Sequence, residues 1–145
     1  MRMVNIGCGP YKIDGFINID INPLQNPDMI RDVRRGLPFD TSSVDKLVAS
    51  HILEHLDPDN FIWVMGEIYR VLISGGVLQI EVPLGITASV DHKMFFTKDS
   101  FDMFFRPEAS LYYQTDFRWE FIDQKESICA SAGIPLLNIS MRAIK

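Results

Sequence analysis

Apolar residues fall in short runs along this chain, and turn-forming residues separate them. Residues 3–6 are an apolar run that stops at Gly7-Cys8-Gly9, which predicts a buried strand followed by a tight turn. A second run, 16–21, ends near Asp20, and 22–27 hold two prolines and further turn formers, a loop. Residues 29–33 predict a short third strand, 37–43 a loop, and 44–50 a fourth strand burying Leu47, Val48 and Ala49. The period then changes. Asp57-Pro58 reads as a helix start, a capping carboxylate with proline at the first helical position. Phe61, Met65, Ile68 and Leu72 recur three or four apart on one face, and Gly75-Gly76 is expected to stop the helix. Residues 77–82 alternate loosely up to Pro83, a fifth strand. Thr97 is placed to cap a short helix carrying Phe101, Phe104 and Phe105. Residues 112–122 look strand-like, 123–132 predict a helix ended by Gly133, and 137–144 a last strand.

Strands alternating with helices predict an α/β layer fold with a mostly parallel sheet, and 145 residues fit a single domain, 1–145. Ligands of such sheets sit at the carboxyl ends of the strands, near the switch in strand order. That rim would carry Gly7-Cys8-Gly9, Asp20, Asp32 and Ser50-His51. One connection is tight. Only residues 7–16 join the first strand to the second, where a parallel crossover usually needs about a dozen residues. The helix there is therefore expected to have one or two turns at most, with Pro10 at its first position.

Composition narrows the partners. A net charge of −5, with the densest basic stretch (31–35) interrupted by Asp32, argues against a nucleic-acid partner held through phosphates. Cys8 and Cys129 lie far apart and form no CxxC pair, so a free-thiol, cytoplasmic protein is expected. No apolar run approaches the ~20 residues of a membrane span, and no signal-peptide core opens the chain, so no membrane partner is expected.

The glycine turn is where chemistry enters. Glycines let a chain turn sharply off a strand, and their amides can hold a carboxylate or phosphate. Asp20 at the next strand tip can accept two hydrogen bonds from a ribose diol, and Asp32 one from an adenine amino group. A dinucleotide fingerprint is not complete, because Lys12 stands where the third glycine of GxGxxG belongs. Read in order, the pieces become specific. Val4-Asn5-Ile6-Gly7-Cys8-Gly9 and Gly15-Phe16-Ile17-Asn18-Ile19-Asp20 resemble the first two motifs of class I S-adenosylmethionine-dependent methyltransferases. Asp32 with Leu37-Pro38-Phe39, and Val44-Asp45, are similar to the third block. Ser50-His51-Ile52-Leu53-Glu54-His55-Leu56, the stretch from Glu67 to Gly76, and Ile80-Glu81-Val82-Pro83 resemble the later ones. Asp91-His92-Lys93 with Phe95-Phe96-Thr97 looks like a segment of short members of the family.

This resemblance implies a Rossmann-like sheet, here with a shortened first crossover and without N-terminal cover helices, and S-adenosylmethionine as cofactor. It places Gly7, Cys8 and Gly9 at the methionine part, Asp20 and the adjoining Ile21 at the ribose, Asp32 and Val33 at the adenine, and Ser50 and His51 near the sulfonium. The implied activity is methyl transfer to a small-molecule or sugar acceptor. His51 and His92 are the candidate bases for an oxygen acceptor. A non-catalytic cofactor-binding module or partner subunit is the alternative. A third reading is a zinc hydrolase, since His51-Ile52-Leu53-Glu54-His55 matches H-x-x-E-H. It would need His51 and His55 on one helical face, yet Asp57-Pro58 restarts the chain two residues later, so no metal is expected. The dense aromatics, from Phe95 to Phe121, are expected mostly in the core, with some left for an acceptor pocket or a homo-oligomer contact.

Overall fold

The protein is described from a computed structural model, which covers residues 1–87, 89–106, 108 and 117–145. Seven strands form one sheet: β1 (Met3–Ile6), β2 (Ile17–Asp20), β3 (Met29–Ile30), β4 (Val44–Ser50), β5 (Leu72–Pro83), β6 (Trp119–Ile128) and β7 (Pro135–Ala143). Their order across the sheet is β3-β2-β1-β4-β5-β7-β6. The pairs among β1 to β5 are parallel, and β7 joins β5 and β6 antiparallel. The expected α/β, mostly parallel sheet is therefore present. The order reverses between β2–β1 and β1–β4, so the switch point lies at the end of β1.

Among the described residues one α-helix, α1 (Pro58–Val71), packs on the sheet, and its start is the one the sequence signals. The Asp57 carboxylate accepts from the Asn60 backbone N–H (2.9 Å) and Pro58 takes the first helical position. Phe61, Val64, Met65, Ile68 and Val71 are buried on its inner face. They meet Val4, Ile6, Leu47, Ala49, Leu78, Ile80 and Val82, one side of the sheet, at strand period two. Phe96, Phe101 and Phe104 close that core around Phe61, with ring centroids 5.9–6.2 Å from it. The other side of the sheet carries Lys46, Ser50, Gln79, Glu81, Asn138, Ser140 and Arg142, none of them buried. Among the described residues the helix layer lies on one face, and the other is covered only where residues 7–16 bury Asn5 and Asn18, whereas parallel sheets are usually covered on both.

Four expectations need correction. No helix forms over 7–16; the chain crosses as two turns, and side chains take over the hydrogen bonding a helix would have supplied. Asn18 is buried and binds the Ile13 N–H (2.9 Å), the Ile13 and Phe16 carbonyls (3.2 and 3.0 Å) and the Asp28 carboxylate (2.9 Å). Asn5 adds a bond to Asn18 Oδ1 (3.0 Å). Secondly, 123–132 is not a helix: β6 runs through Ile128 and turns into β7, with Gly133 N–H donating to the Cys129 carbonyl (2.8 Å). Good helix formers there yield to pairing with β7, which tertiary context allows. Thirdly, Gly75-Gly76 do not stop the helix, which ends at Val71; they lie inside β5, where residues 73–76 bulge opposite Asp45. Finally, the third strand is only Met29–Ile30, and Asp32 caps the 3-10 turn Val33–Arg35 instead of ending a strand. The Thr97 region forms a 3-10 turn at Asp102–Phe105, and Tyr112 and Tyr113 lie outside the described residues.

Candidate functional site

A cleft of ≈ 730 Å³ opens at the carboxyl ends of β1, β2 and β4, within the size range of small-ligand sites. Its floor is the glycine turn. Gly7 has φ +64°, and a Cβ there would lie 2.6 Å from the Ile52 side chain, so any other residue is excluded by both backbone and space. Gly9 opens onto empty space, with nothing within 4 Å of where its Cβ would be. Cys8 between them turns inward and is buried, and burial pushes its thiol pKa up, with Asp20 adding to the effect. Its N–H continues the strand ladder to the Ile19 carbonyl (3.0 Å), so Cys8 shapes the turn without lining the cleft.

Asp20 is held by both oxygens. Oδ2 accepts from the Gly9 N–H and Oδ1 from the Asn22 N–H, each at 2.8 Å. A carboxylate has about four lone-pair sites, so one on each oxygen is left for a diol. Ile21 is exposed beside it, an apolar surface with Val33 on the same cleft wall. Asp32 also lines the cleft, but its carboxylate is engaged at home: Arg34 donates to it from Nε and Nη2, both at 2.9 Å, and from its backbone N–H at 3.0 Å. That pairing with Arg34 holds the Asp32 pKa below the usual carboxylate range.

The opposite wall is His51, with Ile52, His55 and Leu56. His51 has φ +53°, a conformation in which histidine is enriched but still uncommon. Its N–H donates to the Glu81 carbonyl (2.9 Å). Nδ1 stands 3.3 Å from Glu54 Oε1 and Nε2 3.4 Å from Glu81 Oε1. The Glu54 carboxylate raises the His51 pKa, Glu81 adds to this, and partial burial opposes both. Ser50 donates to Glu81 Oε1 (2.9 Å) and faces the polar side of the sheet, outside the cleft. His92 is also outside it: its Nδ1 meets Thr87 Oγ1 at 2.6 Å and its ring stands edge-on to His55, centroids 4.9 Å apart. Of the two candidate bases, only His51 lines the cleft.

The H-x-x-E-H segment is not helical enough for the hydrolase geometry. Leu53–His55 is a single 3-10 turn, and His51 precedes it in the left-handed region. Glu54 is given a role by the sequence only through H-x-x-E-H, and the structure gives it a different place, beside His51. Glu81 has one sequence signal, its position within the otherwise apolar end of β5, Ile80-Glu81-Val82.

Residues 18–80 match the family model described as a methyltransferase domain. No curated protein matches the sequence. Several solved structures share the fold. A 1,6-didemethyltoxoflavin-N1-methyltransferase from Burkholderia thailandensis, bound to S-adenosylhomocysteine, aligns over 99% of this chain and 71% of its own, with TM-score 0.71 at 15% identity. The N-methyltransferase NodS from Bradyrhizobium japonicum aligns over 99% and 86%, with TM-score 0.71 at 15% identity. An S-adenosylmethionine-dependent methyltransferase from Methanosarcina mazei aligns over 99% and 93%, with TM-score 0.68 at 18% identity.

Proposed function

We propose that this chain, a methyltransferase-domain enzyme of the class I, S-adenosylmethionine-dependent fold, transfers a methyl group to a small-molecule or sugar acceptor in the cleft beside His51. The observation that carries this reading is Asp20: a carboxylate fixed by Gly9 and Asn22 amides, with lone pairs to spare, next to an open glycine turn. Those residues fit the cofactor, since the space beside Gly9 is open and the free acceptor sites of Asp20 match a ribose diol.

The cofactor supplies an electrophilic methyl group on a sulfonium sulfur. The chain's part is mainly alignment of donor and acceptor. The open space beside Gly9 would admit the amino-acid end, Asp20 would accept from the ribose hydroxyls, and Ile21 and Val33 would offer apolar surface to the base. His51 takes the proton of a hydroxyl acceptor, and Glu54 and Glu81, 3.3 and 3.4 Å from its two ring nitrogens, stabilise the imidazolium. An acidic chain with no uninterrupted basic stretch favours a small or sugar acceptor over a nucleic acid. Self-association would use the edge strand β6, where Phe121, Ile122 and Ile128 are exposed. No helix among the described residues is long and apolar enough to cross a membrane. Two free thiols fit a reducing compartment such as the cytoplasm.

Calorimetry with S-adenosylmethionine and S-adenosylhomocysteine tests the reading. Both bind, and Asp20→Ala weakens both by roughly 10–150-fold, the worth of hydrogen bonds to a charged group. Failure of both ligands to bind wild-type protein refutes it. Binding without transfer of a labelled methyl group to any hydroxyl or sugar acceptor supports the non-catalytic module instead.

A further inference from the structure

All three histidines of the chain gather in one corner, and two of them are not explained by the cleft chemistry. Glu54 is fully buried, and neither carboxylate oxygen has an aligned hydrogen-bond donor, although His51 Nδ1 lies 3.3 Å from Oε1. Its oxygens therefore keep acceptor capacity for a further partner, which a buried polar group ordinarily finds. Ligand atoms of Glu54, His55 and His92 lie within 4.8 Å of one another.

Each of the two imidazoles has one ring nitrogen engaged by a neighbour. A ligating histidine ordinarily gives its other ring nitrogen to a carboxylate, carbonyl or similar partner. His55 Nδ1 lies 3.3 Å from both the Asp91 carbonyl and Asp91 Oδ2. His92 Nδ1 meets Thr87 Oγ1 at 2.6 Å. Among the described residues, no hydrogen bond engages Nε2 of either ring, which leaves both Nε2 atoms for a shared ion. The backbone is drawn together in the same place: the Lys93 and Met94 N–H groups both donate to the Glu54 carbonyl, at 2.7 and 3.0 Å.

We propose that Glu54, His55 and His92 bind one divalent transition-metal ion, of the zinc or cobalt kind, that clasps the loop after β5 to the 3-10 turn Leu53–His55. Two imidazoles and one carboxylate suit such an ion, and leave at least one coordination position open. The site differs from the H-x-x-E-H reading, because His51 is not a ligand and the third ligand comes from the loop. Since His55 and Asp91 also line the cleft, the ion anchors one lip of it. The site goes beyond the methyl-transfer reading and is tested without the cofactor.

The test is a titration of chelator-treated full-length protein with Co²⁺, followed by visible absorption, and with Zn²⁺, followed by calorimetry. One equivalent of each metal binds, with a cobalt ligand-field band of raised intensity. His55→Ala and His92→Ala each weaken binding by more than about 100-fold, beyond the 10–100-fold typical of second-shell changes. Thr87→Ala stays within that smaller range, and Cys129→Ser leaves binding unchanged, which excludes capture by the surface thiol. Circular dichroism verifies that each variant is folded. Absence of binding by wild-type protein at millimolar metal overturns the site. So does one-equivalent binding that persists in the folded His55→Ala/His92→Ala double variant.

Discussion

Two parallel crossovers in this protein solve the same problem by opposite means. Between β4 and β5 the chain makes the usual choice, a capped amphipathic helix whose apolar face fills the core. Between β1 and β2 it has only residues 7–16, and it replaces the helix with turns around two buried asparagines. The first solution is stabilised by apolar burial and tolerates imprecision. The second depends on every polar group in a dry space finding a partner. The economical crossover keeps the carboxyl edge of the sheet open, and the cleft floor lies there.

The comparison is broken most directly at Asn18. Asn18→Leu keeps the branched heavy-atom shape but strands the Ile13 N–H, the Ile13 and Phe16 carbonyls and part of the Asn5 amide, and a loss of about 3–5 kcal/mol is expected from several unsatisfied groups together. Ile68→Ala in α1 falls in a similar range, about 2–5 kcal/mol, through a cavity. Denaturant unfolding measures both. Hydrogen exchange then separates them: Asn18→Leu should release protection locally over 7–16, and Ile68→Ala across the core. Equal patterns would mean the asparagine network is no more than a local ornament of the common core.

Gly7→Ala comes next. The Cβ meets Ile52 at 2.6 Å and the φ is +64°, so overpacking and backbone strain combine to about 2–5 kcal/mol. The same change should abolish S-adenosylhomocysteine binding in calorimetry, because relief requires the turn to move. Retained affinity at reduced stability would show that Ile52, not the turn, yields.

How far the sequence foretold these regions follows the same division. The helical crossover was legible because its signals are local: Asp57-Pro58 at one end, and apolar spacing between. The rim residues Gly7, Gly9, Asp20, Asp32 and His51 were legible from their order along the chain. What could not be read was pairing over distance. Asn18 is an ordinary polar residue in the sequence until the pairing of β2 with β1 brings Asn5 to it and the pairing with β3 brings Asp28. Residues 123–128 have helix-forming composition, and only the register with β7 makes them a strand. The trio of Glu54, His55 and His92 joins segments about forty residues apart, and no spacing rule spans that gap.

The helical crossover has a polar tie of its own, and it carries a pH signature. Glu67 on α1 is buried and accepts from Arg70 Nε (2.6 Å) and Nη2 (2.9 Å) and from the Leu37 N–H (2.8 Å). Hydrogen bonding to Arg70 lowers its pKa, against burial. A carboxylate with a depressed native pKa contributes stability that is full above its unfolded value, about 4.3, and is lost as pH falls through the native value. Glu67→Gln should cost about 1–3 kcal/mol near neutral pH, less than a fully buried pair because Arg70 is about one-third exposed. The wild-type advantage should vanish in acid. A gap between wild type and variant that stays constant down to strongly acidic pH would show that Glu67 acts by packing and not by charge.

The smallest effect belongs to Gly75, and it isolates one half of the Gly7 argument. Gly75 has φ +81° in the β5 bulge, but nothing lies within 4 Å of where a Cβ would be. Gly75→Ala therefore meets backbone strain alone, about 1–2 kcal/mol, and Gly75→Asn less, because asparagine tolerates the left-handed region. Thermal unfolding of Gly7→Ala, Gly75→Ala and Gly75→Asn side by side measures the series. If Gly75→Ala is as damaging as Gly7→Ala, contact with Ile52 contributes nothing at the cleft floor, and strain alone enforces glycine there. If Gly75→Ala is much milder, the glycine at the turn is held by a neighbour across the cleft, and Ile52 becomes part of what shapes the binding floor.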